Sequence, residues 1–160
     1  VRELILLRHA HAEPATTGQA DLDRPLSAQG LAEAEAAGRW LAANGLAPDR
    51  VLCSPARRTR ETLEAVLAST GYAEQRLEES IYEATPGTLF GLLQAQADVE
   101  RLMLVGHNPG MERLVALLHS GQSGDYRGMP TAAVAVLALP AMPAMPIEPG
   151  QGRLTAFWWP

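Results

Sequence analysis

"LILLRHAHAE", residues 4–13, opens as an unbroken apolar run and stops abruptly at Arg8, His9, Ala10 and His11. Consecutive large aliphatic residues without polar alternation are the pattern of a strand buried on both faces, as in a parallel sheet with helices on either side. Arg50–Cys53 ("RVLC") and Arg101–Val105 ("RLMLV") share it, so buried strands are expected there and over Glu3–Leu7. Between and after them fall helical patterns: Ser27–Ala43, with Leu31, Ala34, Gly38 and Leu41 on one face, then Pro55–Ala68, Pro86–Ala97 and Pro109–His119. Strands alternating with helices predict an α/β fold, a three-layer sandwich whose central, mainly parallel sheet is flanked by helices. "AAVAVLAL" (132–139) and "RLTAFWW" (153–159) predict two last strands near one edge. Trp158 and Trp159 would point to opposite faces, so at most one belongs to the core. The Pro-rich stretch 140–149 between these strands reads as a loop, with Met142 and Met145 anchoring it on the core.

Composition narrows the function. The 160 residues predict a single domain, 1–160, large enough to bury a core without disulfides. A net charge of −5 gives no general reason to bind nucleic acid. All 13 cations are arginine, which excludes Schiff-base chemistry and a P-loop lysine. The single Cys53 predicts a buried thiol in a reducing compartment. No basic-then-apolar leader opens the sequence, and no apolar run reaches the roughly 20 residues a membrane helix needs, so no membrane association and a cytoplasmic location are expected.

Three helix starts pair a capping residue with proline: Ser54-Pro55, Thr85-Pro86 and Asn108-Pro109. Two follow directly on strands, which places helix N-termini, with free N–H groups, at the carboxyl edge of the sheet, where anions are favoured. Strand one delivers Arg8 and His9 to that edge. "CSPARRTRET" (53–62) delivers Ser54 and Arg58, four apart and on one helical face, with Thr62 a turn further on; "LMLVGHNPG" (102–110) delivers His107. Two arginines and two histidines suit a phosphoryl group: arginine offers permanent charge and bidentate donors, and neighbouring guanidinium groups keep an imidazole neutral and nucleophilic.

"LLRHAHAE", "CSPARRTRET" and "LVGHNPGM", in this order, resemble the histidine phosphatase superfamily, the phosphoglycerate mutase-like fold. "DLDRPLSAQG" and "MPTAAVAVL" are most similar to its compact phosphohistidine phosphatase branch, SixA. The resemblance implies a phosphatase working through a covalent phosphohistidine. His9 would be the nucleophile, Arg8, Arg58 and His107 the phosphate ligands, and Glu83 in "SIYEATPG" the acid that protonates the leaving group. A surface or capping glutamate is the other reading of Glu83. Arg57 and Arg60 are expected to face substrate or solvent. Ala10 departs from the glycine common in the first motif. The chain has little room for the lid insertions of larger members, which suits a phosphorylated protein surface. A leaving imidazole, with a conjugate-acid pKa of about 6.5, needs an acid less than an alkoxide does.

Other readings differ in class. A small phosphomonoester is the alternative substrate, and a mutase is disfavoured by the missing elements. A phosphoprotein-binding module without turnover would not need His9. The pair His9-x-His11 resembles the metal-binding first strand of amidohydrolase-like barrels, but such barrels need about 250 residues. No metal and no cofactor are therefore expected, and His11 is assigned to the rim. Arg24, Asp21 and Asp23 lie in a loop and are assigned ordinary turn and helix-entry roles, with a place bordering the substrate as the other reading, and His119 is assigned a place at a helix C-terminus.

Overall fold

A computed structural model describes residues 1–140 and 146–160. A six-stranded sheet in the order β3-β2-β4-β1-β5-β6 carries helices on both faces. The strands are β1 (Glu3–Arg8), β2 (Arg50–Cys53), β3 (Glu74–Leu77), β4 (Arg101–Gly106), β5 (Val134–Ala138) and β6 (Arg153–Trp158); the helices are α1 (Ala28–Ala43), α2 (Arg57–Thr70), α3 (Pro86–Gln94) and α4 (Gly110–Ser120). β1 to β4 are mutually parallel where they pair, and β5 runs antiparallel to both β1 and β6. The α/β three-layer sandwich read from the sequence is present, with the last two strands paired at one edge.

Strand alternation divides the core in two. Ile5, Leu7, Val51, Cys53, Met103 and Val105 pack with Leu41 of α1 and Val66 of α2. Leu4, Leu6, Leu52, Leu102 and Leu104 face the opposite way, onto Leu89 of α3 and Met111 and Leu114 of α4. Each fully buried aliphatic side chain contributes about 1.5–3 kcal/mol, so the aliphatic runs hold both layers at once. α1 and α2 approach closely at Gly38, where a Cβ would lie 3.0 Å from the Val66 Cα.

Several local expectations shift. β3 (EQRL) has no apolar run and is mostly exposed at the sheet edge, so the periodicity that betrays its neighbours is missing. Leu31 is 48% exposed, because the buried face of α1 is instead Gly30, Ala34, Ala37, Gly38 and Leu41. Of the three cap-proline starts, Thr85-Pro86 holds, with Thr85 accepting from the Thr88 N–H. α2 begins two residues after Pro55, with Ala56 at its cap, and Ser54 lies before the helix rather than on its face. At α4, Pro109 occupies the cap itself after a cis Asn108-Pro109 bond, and the Asn108 side chain accepts from the Glu112 N–H. Trp158 is half-buried, stacked on Trp40 at 5.6 Å, and Trp159 is exposed. Met142 and Met145 lie outside the described residues. Among the described residues no helix is long and apolar enough to cross a membrane.

Candidate active site

Parallel register aligns the strand ends. Arg8 pairs with Gly106 and Cys53 with Val105, so His9, His107 and Ser54 leave the carboxyl edge side by side. The His9 and His107 rings lie 5.2 Å apart. Arg58, in the first turn of α2, donates through Nη2 toward His107 Nδ1 at 3.4 Å. An arginine can only donate, so in this contact Nδ1 is unprotonated and Nε2–H donates to Ser54 Oγ at 2.8 Å. Ser54 Oγ also accepts from the Ala56 N–H at 3.3 Å, so its hydroxyl serves the histidine and the entry to α2 together.

His9 is fixed differently. Its Nδ1 lies 2.7 Å from the Ala10 carbonyl, which can only accept, so Nδ1 carries the proton and Nε2 keeps its lone pair. Burial pushes the His9 pKa down to about 4, with the Arg58, Arg8 and Arg24 charges acting in the same direction against the Ala10 hydrogen bond. Burial likewise lowers His107 to about 3, helped by His9 and Arg58. Both imidazoles are therefore neutral near pH 7.

The two guanidinium groups are anchored to carbonyls. Arg8 Nη1 donates to the Met129 carbonyl at 2.8 Å and Arg58 Nη1 to the Asp21 carbonyl at 2.8 Å. Their Nε–H groups are buried and have no partner among the described residues. An unpaired buried donor costs free energy, and two of them around neutral histidines make a site predisposed to an anion. Burial lowers the Arg8 pKa, against the raising effect of Glu112 and Glu33.

One hydroxyl joins the parts. Thr62 Oγ1 donates to the Arg58 carbonyl at 2.7 Å and accepts from the Ala10 N–H at 3.0 Å. Nearby, the His11 carbonyl packs on Gly30 so closely that a Cβ there would stand 1.9 Å from the oxygen. The His11 side chain is exposed, with Nδ1 2.7 Å from Ser27 Oγ. His9 and His11 thus use their Nδ1 atoms on different partners. Among the described residues no three His, Cys, Asp or Glu side chains are grouped to hold a metal ion.

Tyr82 enters the site unannounced by the sequence, and Asp21 enters it more directly than its turn reading implies. Asp21, assigned to a turn, accepts from Arg58 Nη2 at 3.0 Å, from Arg24 Nη1 at 3.0 Å and from the Tyr82 hydroxyl. Tyr82 stands edge-on to His107 at 5.4 Å. Hydrogen bonds from Tyr82 and Arg24, with Arg58 adding to them, hold the Asp21 carboxyl well below the usual carboxylate range. The same bond to Asp21 raises the Tyr82 pKa. Glu83 follows, with φ +57°, uncommon for a side chain other than Gly, Asn or Asp. Asp21, Arg58, Tyr82, Glu83 and His107 line one cavity of about 420 Å³, with Arg113 also on its wall. Arg57 pairs with Glu61, and Arg60 donates to the Pro55 carbonyl; both are exposed. Cys53 is buried with its thiol pushed up to about 12 by desolvation, which leaves it inert beside the site.

A sheet edge with Arg-His on one strand, an arginine on the following helix and a second histidine on a third strand defines a phosphatase class, and the chain belongs to the histidine phosphatase superfamily (branch 1), whose profile matches residues 4–114. Within it the chain falls in the SixA-type branch. It is similar to a candidate phosphohistidine phosphatase SixA from Agrobacterium tumefaciens, with a TM-score of 0.87 and 33% identity over 99% of this chain and 98% of that one. A protein histidine phosphatase SixA complexed with tungstate superposes with a TM-score of 0.82 at 25% identity, covering 98% of this chain and 96% of the other. An uncharacterized protein of Mycobacterium tuberculosis is 40% identical over 157 residues, 92% of this chain and 96% of its own length.

Proposed function

We propose that this chain is a single-domain, metal-independent protein phosphohistidine phosphatase of SixA type, acting in the cytoplasm on a phosphorylated signalling or phosphotransfer protein. The observation that carries the reading is the neutral His9, its Nδ1 proton committed to Ala10, between two arginines whose buried Nε–H donors have no partner among the described residues. The likeness to SixA structures, one of them holding the oxyanion tungstate, supports the substrate class.

In the mechanism, the His9 Nε2 lone pair attacks phosphorus in line and the bond to the leaving nitrogen breaks. Arg8 and Arg58 hold the equatorial oxygens through their free Nε–H groups, matching the charge where it develops. His107 joins once the phosphoryl dianion raises its pKa: protonated at Nδ1, it donates to an oxygen while Nε2–H stays on Ser54. The leaving imidazole departs carrying a proton, with Glu83 supplying one where the leaving group arrives unprotonated. Water then attacks the phosphohistidine, the P–N bond returns its electron pair to His9 Nε2, and inorganic phosphate is released.

The cavity of about 420 Å³ favours a second reading, a small phosphomonoesterase. A panel containing a phosphohistidine protein and sugar phosphates, run with and without EDTA on wild type and Glu83→Gln, separates the two. Turnover of the phosphohistidine protein that survives EDTA and Glu83→Gln supports the proposal. Turnover of monoesters alone, abolished by Glu83→Gln, overturns it.

A further inference from the structure

Asp21 is an ionised carboxylate set against the arginine that the proposed mechanism needs for phosphate. Its backbone carbonyl and its Oδ2 both accept from Arg58, and Tyr82 and Arg24 tether the same carboxylate in place. Arg58 would keep its Nη1 anchor if the side-chain charge were removed, because that anchor is a carbonyl. The negative charge is therefore not required to hold the guanidinium, yet it lies within a hydrogen bond of it. Glu83 adds a second carboxylate to the same cavity, on the wall that follows Tyr82. His9 does not line this cavity, whereas Arg58 and His107 do, so a leaving group opposite His9 would extend into it past Asp21 and Glu83. Arg113 is also on the wall, its guanidinium carbon 5.7 Å from the centre of the Tyr126 ring.

We propose that Asp21 is a specificity-determining residue: its fixed carboxylate competes with anions for Arg58 and, with Glu83, selects substrates whose leaving group is neutral or cationic over those carrying a second anion. A protonated imidazole leaving group satisfies this rule and a carboxylate-bearing phosphomonoester does not. The inference rests on the phosphatase reading of the site and names the charge of substrate it accepts. A carboxylate this near a dianion opposes it at every pH at which both are ionised, and the opposition also hastens loss of the phosphate product.

The test uses inorganic phosphate as inhibitor, with p-nitrophenyl phosphate and 3-phosphoglycerate as substrates that differ in the second anion. In Asp21→Asn, phosphate inhibition should tighten about 5–10-fold, and kcat/KM for 3-phosphoglycerate relative to p-nitrophenyl phosphate should rise by a similar factor. Both effects should shrink in high salt, because Asp21 is half-exposed. Asp21→Glu, which keeps the charge, should keep the discrimination. Weaker phosphate inhibition in Asp21→Asn, with both substrates losing kcat/KM equally, would show that Asp21 only holds Arg58 and would overturn the proposal; so would an unchanged ratio. A wild type that binds phosphate but turns over no phosphoester or phosphohistidine would sink the catalytic reading instead, while the phosphate arm still decides the role of Asp21.

Discussion

Two arginine sites at opposite ends of the same sheet are built on opposite plans. At the amino end, Arg50 donates to Glu74 at 2.7 Å, to Gln96 at 2.9 Å and to both oxygens of Asp98 at 2.8 Å. Its pKa is raised, chiefly by the Asp98 and Glu74 hydrogen bonds. At the carboxyl end, Arg8 and Arg58 each keep a buried Nε–H with no partner among the described residues. A guanidinium whose donors are satisfied within the protein ties elements together, here β2, β3 and the turn before β4. One whose donors are left over has been placed for something that arrives from outside. Between Arg50 and Arg58, 5% and 6% exposed, the difference lies in what surrounds each arginine, not in how deeply it is covered.

That contrast can be broken by experiment. The largest effect should come from His9→Ala: kcat falls by about 10⁴-fold or more and no 32P-labelled enzyme is trapped, as expected when a nucleophile is removed. Retained labelling would move the nucleophile elsewhere. Next, Arg58→Ala should lower kcat/KM by about 10²–10³-fold while leaving the urea midpoint little changed, since removal of the buried unpaired Nε–H offsets the loss of its bonds to Asp21 and His107. Arg50→Met should do the reverse, costing about 1–2 kcal/mol of stability, discounted because its carboxylate partners reach solvent, with kcat intact. If the two variants behaved alike, the distinction between saturated and unsaturated arginines would fail.

A smaller effect separates the ends by pH. His9 and His107 titrate lower in the folded protein, at about 4 and 3, than the ordinary 6.5. Below 6.5 the unfolded chain therefore binds more protons than the native one. The stability these histidines contribute is full above 6.5 and is lost as pH falls toward 4 and 3. Urea midpoints for wild type should decline across that window, and His107→Asn should flatten the decline. Glu74 and Asp98, whose pKa values are lowered chiefly by hydrogen bonds from Arg50, lose their contribution only below the ordinary carboxylate range. The smallest change is expected from His11→Ala: under about 1 kcal/mol from the lost Ser27 contact, and less than a few-fold in kcat/KM. A large loss restored by divalent metal would revive a role for His11 as a ligand.

The layers of the fold were legible because burial on both faces writes itself into β1, β2 and β4 as aliphatic runs, and the strand ends carried the Arg-His, Arg and His placements with them. β3 was not, since an exposed edge strand needs no such run. Ser54 and Asn108 keep part of the local role their types favour, accepting from the Ala56 and Glu112 N–H groups, and each also serves a distant partner that its neighbours in sequence do not reveal: Ser54 meets His107, and Asn108 donates to the Met129 carbonyl. Tyr82, and the bond by which it fixes Asp21, escaped for the same reason more strongly. That bond joins residues 61 apart, and nothing near either one in sequence marks it.

Thr62 carries a final consequence. Its hydroxyl is a pin between the backbone beside His9 and the turn that bears Arg58. The spacing between the residue that would receive the phosphoryl group and the guanidinium that would steady it thus hangs on a single side chain that touches neither the phosphate nor the leaving group in the proposed mechanism.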